Sequence, residues 1–340
     1  MYKSTSQPVV AIPNLNGGDA LLAAVESLQA QSLKPYIIIV DNASTDGSTE
    51  RVLEKYPDLE IIRNPRNLGF AGGVNPGLRR AIELGAKFAG PFNDDAVADK
   101  HWLQQLVDYL NANPRCGAAA PKVITSDRER LDSTGDFYTD WGLPYPRGRR
   151  EYDLRKYDAQ TDIFAATGAA SLYRVKALQE VGLFDEDFFA YYEDVDLSFR
   201  LQLAGWKVAF VPGSTVRHYI GMTGARSNGF YARQTQQNLP LLWFKNVPRR
   251  YLWHVGVRLW FALLLFFGRA VLRGQGWPAF IGALRGWCFL LKKIPARRRI
   301  QHRKKVTGQY IWDQVVHDLP PKAGMLRGLR TAWRKLIRKG

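Results

Sequence analysis

Three carboxylate groups and one histidine are placed where they could do chemistry. The first, Asp41-Asn42-Ala43-Ser44-Thr45-Asp46, follows the apolar run 36–40. Acceptor-rich side chains just past the carboxyl end of a buried strand can hydrogen-bond a base or a ribose. The competing reading is an Asx turn or a cap on the next helix. The second group, Asn93-Asp94-Asp95, again follows a strand-like run. Adjacent carboxylates with phosphate oxygens form a donor set for Mg2+ or Mn2+, which neutralises a departing diphosphate. A solvated turn has the same composition. The third, Glu193-Asp194-Val195-Asp196, comes directly after Phe188-Phe189-Ala190-Tyr191-Tyr192. Beside such packing a carboxylate pKa rises and the group can serve as a base, although acids also collect at helix N-termini because of the dipole. His218 ends a strand-like run and is a candidate metal ligand, against the commoner case of a surface or core histidine.

The elements that must position these groups alternate in period. Short β-branched runs at 9–12, 36–40, 59–63 and 87–92 are separated by amphipathic stretches at 20–31 and 74–84, with Pro76 in a first turn. This is the pattern of βαβ units on a mostly parallel sheet. A further helix is expected over 102–110, another over 175–181, and a strand over 207–211. Residues 131–158, rich in Gly, Pro, Arg and Tyr, read as a long loop able to cover a site.

Charge divides the chain. Residues 249–340 carry 21 Lys or Arg against Asp313 and Asp318, while the first 248 carry 27 basic and 29 acidic groups, so the formal +17 belongs to a basic tail on a near-neutral body. At 340 residues and 46% hydrophobic content the body can bury a large core. Cys116 and Cys288 alone make neither a disulfide framework nor a four-ligand zinc site, which favours a reducing cytoplasm. The first eight residues hold no apolar run of signal-peptide length, and the chain is expected not to be secreted.

Taken in order, the motifs resemble the family 2 inverting glycosyltransferases, in particular their rhamnosyltransferase-like branch. The resemblance runs over 9–227 and rests on Pro13-Asn14-Leu15-Asn16, the segment from Val40 to Ser48, Asn67-Leu68-Gly69-Phe70-Ala71-Gly72-Gly73, and Asn93-Asp94-Asp95. It continues with Thr167-Gly168-Ala169, Gly182-Leu183-Phe184-Asp185-Glu186, Glu193 to Leu197 with Arg200, Gly205-Trp206 and His218. It implies an α/β GT-A fold, a Rossmann-like nucleotide-binding mixed sheet flanked by helices, with Mg2+ or Mn2+ bridging protein and diphosphate. The catalytic domain would span 1–235, its nucleotide-sugar half about 1–120 and its acceptor half about 121–235. Carried over residue by residue, Asp194 would be the general base, and Asp95 with His218 would hold the metal. Pro13, Asn14, Asn16, Asp41, Asn42, Asn67, Gly69, Phe70, Gly73, Asn93 and Asp94 would line the donor, the glycines admitting it closely. Glu193, Arg200 and Trp206 would shape the acceptor pocket. Asp94 fills a slot where the family usually has Pro or an acid, which leaves open which of Asp94 and Asp95 is the main ligand. Leu15 replaces a common aromatic, and Pro76 interrupts the segment after the glycines. Both departures bear on donor identity.

Residues 236–340 read as a helical, basic, membrane-associating region. The stretches 251–272 and 277–291 are apolar but broken by arginines, with at most ten residues, 259–268, between them. A bilayer span needs about 20 apolar residues, so both are expected in or on one leaflet, with Trp253, Trp260, Trp277 and Trp287 at headgroup depth. A packed helical pair is the alternative. The polybasic runs 297–299 and 303–305 and an amphipathic stretch 325–339 would engage an anionic surface at the cytoplasmic face of the inner membrane. The acceptor would then be a lipid-linked or core saccharide. A nucleic-acid partner is not expected: the tail lacks aromatic and basic interleaving, and that reading leaves the carboxylates without purpose. A sugar nucleotidyltransferase would need a basic phosphate loop, and 14–18 has no basic residue.

Overall fold

The computed structural model describes residues 5–219, 228–321 and 323–324. Up to residue 218 the chain runs through β1 (Val9–Asn14), α1 (Gly18–Gln29), β2 (Tyr36–Asp41), α2 (Ser48–Lys55), β3 (Glu60–Arg63), α3 (Gly69–Glu83) and β4 (Phe88–Pro91). It continues with β5 (Ala96–Ala98), α4 (Trp102–Ala112), β6 (Cys116–Thr125), β7 (Leu131–Ser133), β8 (Asp136–Tyr138), β9 (Pro144–Pro146), β10 (Leu172–Arg174), α5 (Val175–Val181), α6 (Glu193–Leu203) and β11 (Lys207–His218). Two compact units result. The first is Met1–Asp136, Pro146–Asn228 and Arg303–Val306; the second is Phe137–Tyr145, Gly229–His302 and Thr307–Gly340.

The sheet of the first unit has the order β3-β2-β1-β4-β10-β6-β11-β5, with β7 beside β6. Strands β3, β2, β1 and β4 are mutually parallel. Strand β10 runs antiparallel to both β4 and β6, and β5 antiparallel to β11, so the sheet is mixed where the alternation of elements alone points to a mostly parallel one. Val10, Ile12, Ile37 and Ile39 pack with Leu21, Val25 and Leu28 of α1 into the core on one face. The expected loop 131–158 holds three short strands. Helix α3 starts at Gly69, well before the expected start, so Pro76 falls inside it rather than in its first turn. The carbonyl of Gly72, which the proline nitrogen cannot serve, accepts from Asn64 Nδ2 at 3.3 Å instead.

The second unit is helical: α7 (Phe230–Asn246), α8 (Arg249–Leu272), α9 (Gly276–Lys292), α10 (Ile294–Arg303) and α11 (Gly308–Gln314). Helices α8 and α9 pack on α7 and on each other. Helix α7 buries Gln234, Thr235, Gln236, Gln237 and Asn238, and Gln236 Nε2 donates to the Leu263 carbonyl of α8 at 2.9 Å. On their other faces α8 exposes Trp253, Val257, Phe261, Leu264 and Val271, and α9 exposes Trp277, Phe280, Leu284, Trp287 and Leu291. The α9 series steps by three or four residues throughout, and the α8 series does so from Trp253 to Leu264 and returns to the same face one heptad on at Val271, so each lies on one stripe. Trp260 stacks on Trp287 at 4.8 Å in the seam between the two helices. Among the described residues one helix, α8, is long and apolar enough to cross a membrane. The stretch 325–339 lies outside the described residues.

Candidate active site

Strand pairing brings the second carboxylate group to His218. Strand β5 lies antiparallel to the end of β11, with Ala96 opposite His218, and the Tyr219 amide donates to the Asp95 carbonyl at 2.9 Å. The side chains follow: His218 Nε2 lies 3.0 Å from Asp95 Oδ1 and 3.2 Å from Asn93 Nδ2. The other ring nitrogen, Nδ1, lies 3.1 Å from Asp132 Oδ2. Burial alone would lower the His218 pKa, but the hydrogen bonds to Asp132 and Asp95 carry it up to about 9. Asp94 is held from the other side, where its Oδ2 accepts from the Leu15 amide at 3.3 Å. Burial, and then the charge of Asp95, push its pKa up to about 7.

A single loop ties this group to the third. The Ala169 carbonyl accepts from the Asn93 amide at 2.8 Å, and the Gly168 amide donates to Asp194 Oδ2 at 2.8 Å. Asp194 stands in the first turn of α6, where its Oδ1 also takes the Val195 amide at 2.8 Å. Burial raises its pKa despite these bonds. A side chain at Gly168 would lie 3.2 Å from the Phe70 ring and 3.4 Å from Asp194 Oδ2, which puts Phe70 beside the carboxylate. Glu193 is buried with Oε2 lacking a hydrogen-bond partner among the described residues, and burial, then Asp194, drives its pKa well up. The backbone entering α6 is strained: Phe189, Tyr191 and Tyr192 have φ of 62°, 71° and 73°. L-residues pay about 1–2 kcal/mol each in that region, so the surrounding packing must hold the segment that delivers Glu193 and Asp194.

The first group is a framework as much as a surface. Asp41 Oδ1 accepts from the Ser44 amide, three residues on, at 2.8 Å, and Oδ2 pairs with Arg63 at 2.8 Å; the expected Asx turn forms at Asp46, whose Oδ1 accepts from the Ser48 amide at 3.0 Å. Asn14 Nδ2 reaches Ser44, Ser48 and Thr49 hydroxyls at 3.0–3.1 Å, and Asn16 Oδ1 accepts from the Thr45 amide at 2.8 Å. Asn42 donates to Asn67 Oδ1 and the Gly69 carbonyl and accepts from Leu68 and Asn64, which pins the 67–73 turn.

Several expected roles change in place. The space a side chain would need at Gly69 is filled by Phe189, whose carbonyl oxygen would lie 2.3 Å away, and at Gly73 by Pro13 at 3.1 Å. These glycines serve close packing within the chain. Arg200 is buried, bonded to Asp196 at 2.9 Å and to the carbonyls of Val181, Gly182 and Leu183, where it closes the C-terminal turn of α5. Trp206 precedes β11 while His218 ends it, so about 30 Å of strand separates the two. Its indole donates to Glu180 and its ring abuts Gly117, and the structure does not bring it to the carboxylates.

Two acids escape motif reading. Asp132 lies on β7 and faces His218. Asp136, at the start of β8, has its pKa raised to about 7 by burial and then by the charge of Asp194. Both fall in the segment without periodicity, and their only sequence signal is acid within a Gly- and Arg-rich run. The site suits a hard divalent cation. It offers adjacent buried carboxylates, an imidazole, and a buried Asn93 Oδ1 with no hydrogen-bond donor among the described residues. No three His, Cys, Asp or Glu side chains among the described residues enclose an ion by themselves. Phosphate oxygens and water would complete the shell.

Comparison with known proteins gives the family and the fold. The profile described as glycosyl transferase family 2 matches residues 9–182. An N-acetylglucosaminyl-diphospho-decaprenol L-rhamnosyltransferase of Mycobacterium tuberculosis is 30% identical over 235 residues, covering 62% of this chain and 75% of the relative. A pre-mycofactocin glycosyltransferase of the same organism is 25% identical over 217 residues, covering 62% and 42%. In fold the chain resembles S. aureus TarS 1-349 (TM-score 0.54, 16% identity, 88% and 83% covered). It also resembles the mannosyltransferase PcManGT of Pyrobaculum calidifontis in complex with GDP-Man and Mn2+ (0.52, 17%, 90% and 85%). The chain belongs to glycosyl transferase family 2, as an inverting enzyme that moves a sugar from a nucleotide donor to a saccharide acceptor.

Proposed function

We propose that Asp194 is the base of this transfer and that Asp95 and His218, with Asp94 and Asn93 beside them, hold a divalent cation at the donor diphosphate. The observation that carries the reading is the continuous path from His218 and Asp95 through Asn93 and Ala169 to Gly168 and Asp194. It sets a cation-binding end and a basic end on the two sides of one loop. A bound Mg2+ or Mn2+ supplies neutralisation of the departing diphosphate in place of a general acid. Asp194 takes the proton of the acceptor hydroxyl as that oxygen attacks the anomeric carbon. The nucleoside diphosphate leaves from the opposite face, and the anomeric centre inverts. Asp41 and Asn42, with Pro13, Asn14, Asn16 and Asn67, frame the nucleoside side. Glu193 stands next to the base on the acceptor side, and Phe70, which the resemblance gives to the donor, lies beside the same carboxylate.

The relative at 30% identity names L-rhamnose as one candidate sugar and a polyprenyl-diphosphate-linked saccharide as one candidate acceptor. A donor is not inherited at that distance, and a UDP- or GDP-sugar stands at least level with dTDP-L-rhamnose. The place of work is the cytoplasmic face of the inner membrane, in cell-surface polysaccharide or lipopolysaccharide assembly, with the protein held peripherally or monotopically. Support comes from the two apolar stripes on α8 and α9 and the cations Arg269, Arg273, Arg285 and Lys292 exposed alongside them.

Calorimetry on the full-length protein tests the reading, with and without Mn2+, across dTDP-rhamnose, UDP-glucose, UDP-N-acetylglucosamine and GDP-mannose. The expected result is metal-dependent binding of one donor. Binding of a donor with equal affinity in EDTA would overturn the metal assignment, and no binding to any by folded protein would overturn the donor set.

A further inference from the structure

The structure assigns Asp132 as the positioning residue of His218: from the far side of the imidazole ring it holds the nitrogen that faces Asp95 in line for a divalent cation. This rests on the reading of Asp95 and His218 as cation ligands. The two ring nitrogens of His218 point in opposite directions, Nε2 to Asp95 Oδ1 at 3.0 Å and Nδ1 to Asp132 Oδ2 at 3.1 Å. An ionised carboxylate only accepts, so the contact at Nδ1 calls for the proton there, whatever Nε2 carries. A cation on the Asp95 side would then take the Nε2 lone pair in place of any proton there, while Nδ1 keeps its own. A carboxylate behind a ligating imidazole fixes both the tautomer and the ring plane, and raises the basicity of the ligating nitrogen.

Asp132 is itself held in place. Its side chain is 6% exposed, and its other oxygen accepts from Arg149 Nε at 2.8 Å. Strand β7 is short, antiparallel to the end of β6, while β11 flanks β6 on the other side, with Ile124 opposite both Leu131 and Arg217. The Asp132 and His218 side chains therefore meet across two strand spacings, about 10 Å of sheet. A salt bridge needed only to anchor β7 is already present between Asp132 and Arg149. The contact to His218 comes in addition to that anchor and orients the ring.

The test is Mn2+ affinity of the full-length protein, read by electron paramagnetic resonance of free Mn2+, in the presence of UDP, GDP or dTDP in turn. Asp132→Asn keeps shape and an acceptor oxygen but loses the charge, and is expected to weaken Mn2+ binding about 10- to 100-fold. Asp132→Glu should recover part of the loss. In a His218→Ala background, Asp132→Asn should cost no further affinity, because a residue acting through His218 has nothing left to act on. If Asp132→Asn does not fold, Asp132→Glu carries the same double-variant comparison. Wild-type affinity in the folded Asp132→Asn protein, with affinity lost in Asp95→Ala and His218→Ala, would overturn the role of Asp132 and leave the cation site standing. Equal losses from Asp132→Asn with and without His218 would also overturn it. Absence of Mn2+ binding by the wild type with every nucleotide would overturn both.

Discussion

At the scale of single residues, Asp194 and Glu193 are neighbours in different surroundings. Asp194 takes two backbone amides and is half-buried, while Glu193 is buried with an oxygen that has no partner among the described residues. Asp194→Asn should lower turnover by about 100- to 10,000-fold, the usual worth of a positioned base, with donor affinity within a few-fold of wild type. Single-turnover assays and calorimetry separate the two. Because burial raises the Asp194 pKa, the acidic limb of the turnover profile should lie above that of an exposed carboxylate, with activity falling as pH drops through it. A limb near pH 4 would contradict the assignment. Glu193 has the opposite bearing on stability. Its folded pKa is raised, so its stabilising contribution is complete below the unfolded value of 4.5 and is lost as pH climbs towards the folded one. Glu193→Gln should therefore gain on wild type as pH rises from 5 to 8, by at most about 1.4 kcal/mol per pH unit, in denaturation curves. A difference that is flat in pH would mean that Glu193 ionises freely.

At the scale of elements, the site depends on where helices start. Helix α3 begins at Gly69, with φ of 72°, and helix α6 begins after Tyr191 and Tyr192, both in the left-handed region. The two starts touch: the Phe189 carbonyl accepts from the Ala71 amide at 3.3 Å, and the Phe189 side chain and backbone fill the space a Gly69 side chain would take. Gly69→Ala combines a backbone penalty of about 1–2 kcal/mol with that overlap, and should destabilise by roughly 2 kcal/mol or more. The loss should appear as a drop of several degrees in Tm, together with slower turnover, since Phe189 leads directly into the segment that carries Asp194. An unchanged Tm would mean that the 186–192 turn yields without cost. Motif reading placed Gly69 and Gly73 at the donor. Their observed work is contact between loops and strands, which depends on neighbours more than 100 residues away for Gly69 and 60 for Gly73.

At the scale of the whole molecule, the apolar stripes and most of the described cations after residue 248 belong to the same helical unit. Helix α8 is about 36 Å long at 1.5 Å per residue, enough to cross a bilayer. One face of it rests on α7, whose buried amides include a donor to the Leu263 carbonyl, and Arg258 on it pairs with Asp140 at 2.7 Å. Those partners suit a helix lying along a surface, with its stripe in the headgroup boundary, better than one surrounded by lipid. Trp253 and Trp277, 81% and 71% exposed, lie on those stripes. Trp253→Ser with Trp277→Ser should reduce flotation with vesicles of anionic lipid at least tenfold, and binding of the wild type should weaken between 0.15 and 1 M salt as surface charges are screened. Flotation unaffected by either change would remove the membrane role of α8 and α9.

The local order of strands and helices in residues 9–63, the strand ends that carry Asp41 and Asp95, and the apolar character of 251–272 and 277–291 are all set by residue period and turn chemistry, and were legible in the sequence. So was the Asx turn, formed at Asp46, because it closes over three residues. The antiparallel insertion of β10, the early start of α3, the displacement of Trp206 and the engagement of Arg200 were not. Each is decided by partners distant in the chain: a three-residue strand such as β10 or β7 has too few positions to show a period, and its pairing is chosen by the sheet it joins. For the same reason Asp132 and Asp136 carried no signal, although tertiary structure sets one against His218 and the other beside Asp194.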